Sequence, residues 1–146
     1  MALSASLLHV SPVWTARTYA AEAIAGPVTA TVIRIVDGDT LLVDAEPWPQ
    51  QIMRVYVRLR GMDAAELHAK CASERDLALR AQDRLGQMIA ASSTVRLREI
   101  SGDKYFGRIV ALVELQDGTD LSQDMLQAGL AKAYHGGRKE RWACDS

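Results

Sequence analysis

The sequence has no excess of basic residues, although such an excess draws many proteins to nucleic acid. Its 146 residues carry 17 Lys and Arg against 18 Asp and Glu, a formal net charge of -1. Without a global positive field, any binding of a polyanion must come from a local cluster of Arg and Lys. This composition disfavours a general nucleic-acid coat protein. It is compatible with an enzyme, because an enzyme needs cations only in its cleft.

Cysteines are few, and they lack the spacing of a zinc site. Cys71 and Cys144 are far apart and form no CxxC pair or Cys/His cluster, which argues against a structural zinc centre. In an exported protein the pair favours one disulfide, which would tie the chain end to the start of the central helix and contribute about 3–5 kcal/mol. In a reducing compartment the same residues would stay as two free thiols.

Long apolar runs are also missing. Beyond the N-terminal segment, nothing approaches the roughly 20 consecutive apolar residues that a membrane span requires. The N-terminal segment has only Arg17 and Glu22 as charged residues, and its small residues at 18–23 offer sites for a signal peptidase, although no basic stretch precedes them. We therefore expect residues 1–22 to be a signal peptide or a disordered extension. Residues 27–146 would form one folded domain.

From Val28 onward the sequence alternates strand-like and helical patterns without an internal repeat. Three runs rich in β-branched residues precede a helical run, and two further strands and a short helix follow it. The predicted strands are 28–36, 41–44, 52–60, 94–100 and 108–115, and the predicted helices are 72–91 and 121–128. This order is typical of an OB-fold, a mainly β, α+β barrel of five strands with a helix between strands 3 and 4.

The same patterns predict which side chains are buried. In strand 52–60 the alternation buries Met53, Val55, Val57 and Leu59 and leaves Arg54, Tyr56, Arg58 and Arg60 on an open face. In helix 72–91 the residues available for a buried stripe are Leu77, Leu79, Ala81, Leu85, Met88 and Ile89. Residues 62–70 are predicted as a loop. The basic segment 135–146 is expected to be loosely held.

Three short polar segments contain the groups that phosphodiester hydrolysis needs, namely a cation site, an acid to activate water and rigid donors for phosphate. They are Asp37-Gly38-Asp39-Thr40, the segment 58–66 and the segment 103–108. Carboxylates suit a hard divalent cation such as Ca²⁺ or Mg²⁺. Taken one at a time, the segments are also compatible with a hairpin turn, a surface salt-bridge cluster and a solvated charged turn.

The three segments, in this order, resemble the motifs of the staphylococcal nuclease (thermonuclease) family. That family has a DGDT turn, an Arg-x-x-x-x-Asp-x-x-Glu segment and an Asp-(Lys/Arg)-Tyr-x₀₋₁-Gly-Arg turn. The likeness runs from about Val28 to Tyr134, and residues 127–132, QAGLAK, resemble the family's QGLA-like helix end. The resemblance implies an OB-fold enzyme that hydrolyses phosphodiester bonds of DNA or RNA, acts as a monomer and depends on Ca²⁺.

The resemblance implies a particular ligand set for the metal. The ligands would be the carboxylates of Asp39 and Asp63 and the backbone carbonyl of Ala64. Where this chain reads Asp63-Ala64-Ala65-Glu66, the family usually reads Asp-Thr-Pro-Glu or Asp-Ala-Pro-Glu. The carbonyl ligand survives because the main chain is unchanged, whereas loss of the proline frees the loop and loosens the placement of Glu66.

The resemblance also implies catalytic and substrate-binding residues. Glu66 would act as the general base, or would at least orient the attacking water. Arg58 would grip the scissile phosphate through its planar fork of donors, and Arg108 would stabilise the charge of the transition state. Phe106 lengthens the third motif by one residue relative to its shortest form. The substrate contacts would be Lys104, Tyr105 and Tyr134.

The rival interpretation is a non-catalytic OB-fold module that binds nucleic acid. Relatives of this kind have lost their acids and arginines, because a binding module needs no metal ligands beside a base. This chain retains the whole set, which consists of Asp39, Arg58, Asp63, Glu66 and Arg108. The sequence therefore favours the nuclease.

Overall fold

The computed structural model describes residues 23–144 of the chain. The two predictions for residues 1–22, a signal peptide or a disordered extension, lie outside the described residues. Residues 145–146, at the end of the predicted domain, also lie outside them.

Within residues 23–144 the chain forms seven strands and two helices. The elements are β1 (Val28–Asp37), β2 (Thr40–Trp48), β3 (Gln51–Leu59), β4 (Met62–Ala64), α1 (Ala72–Ala90), β5 (Thr94–Gly102), β6 (Arg108–Glu114), α2 (Leu121–Gln127) and β7 (Ala131–Ala133). All five predicted strands and both predicted helices are present. Neither helix among the described residues is both long and apolar enough to cross a membrane.

The five long strands close into one barrel in the order β1-β2-β3-β6-β5. Four of the neighbouring pairs are antiparallel, and β3 pairs with β6 in parallel. A parallel pair needs a long crossover connection, and α1 and β5 lie within it. The arrangement confirms the predicted OB-fold, with α1 between the third and fourth long strands.

Alternate residues of the barrel strands point inward and form the core. Leu41, Val57, Leu97 and Val113, from four different strands, are fully buried. The prediction for Met53 is wrong, since its side chain is 52% exposed. The reason is that only the second half of β3 pairs with β6, so the first half extends beyond the covered part of the barrel.

The helix α1 packs on the barrel through one stripe. Its buried residues are Ala78, Ala81, Leu85 and Ile89, which have the three- and four-residue spacing of a single helix face. Leu77 and Met88 are partly buried against this core. The prediction for Leu79 is wrong: it is 51% exposed, because it lies about 100° around the helix from the buried Ala78.

The predicted loop 62–70 begins instead with a short strand. In it, β4 pairs with β7 in an antiparallel ladder in which Asp63 is the partner of Lys132. The backbone N–H of Tyr134 extends this contact by donating to the carbonyl of Gly61 over 2.9 Å. The sequence did not predict β4, because three residues are too few to show a periodicity and the partner strand β7 lies far along the chain. Pairing with β7 fixes the backbone on which Asp63 stands.

The segment after β7 is anchored as far as residue 144, so the expectation that it is loosely held is wrong for 135–144. Cys71 and Cys144 form a disulfide, with their Cα atoms 5.9 Å apart. The ammonium of Lys132 lies 4.8 Å from the ring centroid of Trp142 and donates to the carbonyl of Arg141 over 2.8 Å. These contacts hold the chain end against the start of α1.

Candidate active site

The three polar motifs meet at one end of the barrel, around a cleft of about 840 Å³. The register of the barrel strands explains why the motifs lie close together. Thr40 of the first motif pairs with Arg58 across β2 and β3, and Arg108 pairs with Tyr56 across β6 and β3. Of the residues predicted for the site, the cleft is lined by Asp39, Arg58, Glu66, Lys104, Tyr105, Arg108 and Tyr134. Its volume lies within the usual range of small-ligand sites.

The guanidinium of Arg58 lies between two aspartates on the floor of the cleft. Its Nη1 is 2.8 Å from Asp39 Oδ2, and its Nη2 is 2.7 Å from Asp63 Oδ1. The side chain of Arg58 is only 12% exposed and those of both aspartates are 8% exposed, so the prediction that Arg58 lies on an open face is wrong. Burial lowers the pKa of Arg58, but the two carboxylates outweigh it, and the net pKa is raised. The guanidinium therefore remains charged.

The carboxylate of Asp39 is held by neighbouring donors. Oδ1 accepts from the hydroxyl of Thr40 over 2.8 Å, and Oδ2 accepts from the backbone N–H of Ala64 over 3.3 Å. The backbone N–H of Asp39 donates to Asp37 Oδ1 over 3.1 Å. These bonds bring Ala64, a predicted metal-site residue, against the first motif and fix the direction of the carboxylate.

Gly38 allows this close packing. A Cβ at that position would lie 2.7 Å from the Cβ of Ala64 and 2.8 Å from the Cβ of Ala81. The glycine is therefore required by a close approach to β4 and α1. A positive φ is not the reason for the glycine, because Gly38 is not among the residues with positive φ.

Asp37 and Asp39 concentrate negative charge in one turn. Burial and the charge of Asp39 raise the pKa of Asp37 to about 6. The part of this shift that comes from the charge of Asp39 would be offset by a nearby cation, whereas the part that comes from burial would not. Asp37 belongs to the first motif, but the sequence assigned it no role.

Glu66 stands at the rim of the cleft, with its side chain 64% exposed. Its Oε1 is 3.1 Å from the ammonium of Lys139, which also lies 2.7 Å from Asp63 Oδ1. Burial lowers the pKa of Lys139, but the hydrogen bonds to the two acids and the charges of these acids together outweigh it and raise the pKa. Sequence reasoning missed Lys139 as a site residue. The only feature of the sequence that could have indicated a role for Lys139 is the basic composition of the segment 135–146.

Arg108 is oriented by Asp103, with which its Nε forms an ion pair. Burial raises the pKa of Asp103, but the hydrogen bonds from Arg108 and from the backbone N–H of Lys104, together with the charges of Arg108 and Arg58, outweigh it, and the pKa is lowered. The guanidinium carbon of Arg108 lies 4.7 Å from the ring centroid of Tyr105, and the ammonium of Lys104 lies 5.0 Å from the same centroid. The third motif thus presents two cations around one aromatic ring.

Tyr134 also lines the cleft. Its ring centroid lies 5.7 Å from the guanidinium carbon of Arg58, and its hydroxyl donates to the carbonyl of Gly137 over 3.1 Å. The resemblance placed Tyr134 near the substrate, and the fold places it in the cleft beside Arg58. All nine predicted site residues therefore lie in the cleft or directly behind it.

The donor chemistry around Asp39 and Asp63 fits a hard divalent cation. Two carboxylates lie within hydrogen-bonding distance of one guanidinium, and the backbone of Ala64 contacts one of them. Arg58 contacts one oxygen of each aspartate, Lys139 also contacts Asp63, and Thr40 and the backbone N–H of Ala64 donate to Asp39. Among residues 23–144, the one set of three candidate donors within 4.8 Å of one another is Cys71, Glu74 and Cys144, whose two sulfurs are already joined in the disulfide.

The closed barrel and its cleft define an OB-fold protein with a compact site of acids and arginines, suited to an anionic ligand together with a cation. The family model described as "Staphylococcal nuclease homologue" matches residues 56–143, more than half of the chain. The chain therefore belongs to the staphylococcal nuclease homologue family, as its motifs suggested. The match covers the second and third motifs and begins after the first. None of the curated proteins matches the chain significantly.

Proposed function

We propose that the protein is a Ca²⁺-dependent nuclease that hydrolyses phosphodiester bonds of DNA or RNA. The main support is that Arg58, two buried aspartates, the exposed Glu66 and the oriented Arg108 surround one cleft. Membership of the staphylococcal nuclease homologue family supports the same activity. A module that only binds nucleic acid has no use for buried aspartates next to a solvent-accessible acid.

The carboxylates of Asp39 and Asp63 and the carbonyl of Ala64 would hold the ion. A bound Ca²⁺ supplies positive charge that offsets the charge on the phosphate oxygens. Asp39 is prepared for this role by the donors that fix its carboxylate, the hydroxyl of Thr40 and the backbone N–H of Ala64.

Arg58 would bind the scissile phosphate. Its two terminal nitrogens contact Asp39 Oδ2 and Asp63 Oδ1, at 2.8 and 2.7 Å, and the same two donors could bind two oxygens of one phosphate. Arg108 would bind a phosphate oxygen as charge develops there. Its Nε is held by Asp103, so the guanidinium is oriented before the substrate arrives. Such preorganised donors give large transition-state stabilisation.

Glu66 would accept the proton of the attacking water. Its carboxylate is largely exposed, so a water molecule can approach it. It also stands next to Asp63, which would hold the metal and thus the phosphate nearby. A carboxylate at this position would activate the water, and because it is exposed it does not contribute to the hydrophobic core. Glu66 is therefore the residue on which turnover should depend most directly.

Lys104, Tyr105 and Tyr134 would contact the rest of the nucleotide. Lys104 and Tyr105 are exposed at the cleft mouth, where an ammonium and a hydroxyl suit a terminal phosphate or a sugar. Tyr134 lies across the cleft with an aromatic face, which suits stacking on a base. Contacts of this kind tolerate any sequence.

We further infer that the protein is exported. The disulfide between Cys71 and Cys144 is typical of an oxidising compartment. Extracellular and periplasmic fluids also contain the calcium that the proposed reaction needs. Detection of the mature protein outside the cytoplasm would support this proposal, whereas an intact chain confined to the cytoplasm would contradict it.

Cleavage of single-stranded DNA and RNA with Ca²⁺ and with a chelator tests the proposed function. We expect cleavage with Ca²⁺, none with the chelator, and a loss of about 10²- to 10⁴-fold in turnover for Glu66→Gln. Glu46→Gln, which alters an exposed acid on β2, is the matched control and should leave turnover unchanged. Binding of DNA without cleavage under all conditions would instead identify a non-catalytic module.

A further inference from the structure

The ammonium of Lys139 contacts Asp63, a proposed metal ligand, and Glu66. Its Nζ is 2.7 Å from Asp63 Oδ1 and 3.1 Å from Glu66 Oε1. The same oxygen of Asp63 also lies 2.7 Å from Arg58 Nη2. Two cationic groups therefore share one oxygen of a buried carboxylate, and a divalent ion that binds Asp63 through this oxygen competes with both.

The chain around Lys139 is anchored on both sides. On the N-terminal side, Tyr134 is bonded to Gly61 through the backbone. On the C-terminal side, Trp142 packs against Lys132 and Cys144 is bonded to Cys71. A short segment held at both ends keeps its side chain near the acids, as a tethered ligand with a high effective concentration.

We propose that Lys139 is a further residue of the cation site. It acts as a tethered cation that balances Asp63 and Glu66 when the metal is absent, and it competes with a divalent ion for them. This inference rests on the metal site of the proposed function. It assigns a part to a residue outside the three motifs and gives the anchored segment 135–144 a role in setting the metal affinity.

Charge balance supports this assignment. The acids around the floor and rim of the cleft are Asp37, Asp39, Asp63 and Glu66, and the cations in contact with them are Arg58 and Lys139. Without Lys139 the metal-free site would hold one more uncompensated negative charge. With Lys139 in place, an arriving ion meets a like charge within a few ångströms, and the protein environment screens this repulsion less than bulk water does.

Calorimetric titration of the full chain with CaCl₂ tests the inference. We expect Lys139→Met to bind Ca²⁺ at least about tenfold more tightly than the wild type, because it removes a charge adjacent to the ligands. Arg138→Met is the matched control, since it removes the same charge one residue away. Lys139→Arg keeps the charge. Both of these variants should bind Ca²⁺ within about twofold of the wild type.

Thermal unfolding gives a second readout that does not depend on activity. The rise in Tm from chelator to saturating Ca²⁺ should be larger for Lys139→Met than for Arg138→Met, because tighter binding to the folded state raises its stability further. Equal affinities and equal shifts in the two methionine variants would overturn the role of Lys139 alone. An absence of Ca²⁺ binding in the wild type and in every variant would overturn the proposed metal site itself, and this inference with it.

Discussion

Thr40 of β2 and Arg58 of β3 are direct partners in the barrel register. Through this pairing the turn that carries Asp39 lies against the strand that carries Arg58, and the two side chains form an ion pair of 2.8 Å. A slip of one residue would turn Arg58 to the other face of the sheet. The barrel register is therefore what brings the first and second motifs into one site.

Arg108→Ala should lower turnover by about 10²- to 10³-fold, or roughly 3–4 kcal/mol, because it removes an oriented donor to the developing charge. Single-turnover cleavage of a DNA oligonucleotide with Ca²⁺ measures the effect. Arg98→Ala is the control, since Arg98 also forms an ion pair, with Glu114, on the neighbouring strand and does not line the cleft. A similar loss in both variants would show that the effect arises from stability.

Gly38→Ala should destabilise the protein by about 1–3 kcal/mol, because the new methyl group would overlap with Ala64 and Ala81. Gly86→Ala should have the opposite effect. Its Cβ would lie 3.6 Å from Ile35 Cδ1, an ordinary contact, and alanine favours the helix by about 0.5–1 kcal/mol. Urea unfolding of both variants measures the two changes. Equal effects of the same sign would contradict the close approach at Gly38.

Asp37→Asn should stabilise the metal-free protein at neutral pH. The folded-state pKa of Asp37 is raised from 3.8 to about 6 by burial and by Asp39. The stabilising effect of its proton is therefore fully present below about pH 4 and is lost as the pH rises through about 6. Asparagine removes the cost of ionisation and still accepts from the backbone N–H of Asp39. The gain should grow between about pH 4 and pH 6, be complete above pH 6 and vanish below pH 4.

Unfolding in chelator across this pH range measures the effect of Asp37→Asn. Asp117→Asn provides a comparison of opposite sign, because hydrogen bonds from Thr119 lower the pKa of this exposed carboxyl. Its stabilising contribution is present above pH 4 and is lost on acidification. Asp117→Asn should therefore lower stability at neutral pH. A pH-independent gain for Asp37→Asn would contradict the assigned pKa.

Removal of the disulfide should lower the free energy of unfolding by about 3–5 kcal/mol, since the bond between Cys71 and Cys144 closes a long loop. Thermal unfolding of the double variant Cys71→Ser/Cys144→Ser, compared with the oxidised wild type, measures the change. Each single serine variant should lose as much as the double variant. Identical Tm values for oxidised and reduced wild type would contradict a stabilising bridge.

The order of the elements followed from the sequence because it rests on local patterns. Runs of β-branched residues and the stripe of α1 are properties of neighbouring residues. The start of α2 is local in the same way, since the side chain of Asp120 accepts from the backbone N–H groups of Ser122 and Gln123. The predicted burial of Leu79 and Met53 was wrong because both residues lie at the edge of a buried face, where burial depends on the element that packs against it.

The sequence by itself determined the kinds of group available to the site and their order along the chain, since three motifs state them directly. Only the tertiary structure decided that Arg58 lies buried between Asp39 and Asp63, that β4 pairs with β7, and that Lys139 contacts Glu66. Each of these contacts joins residues from separate elements. Their energies come from burial and from opposite charges at close range, and no local periodicity encodes either.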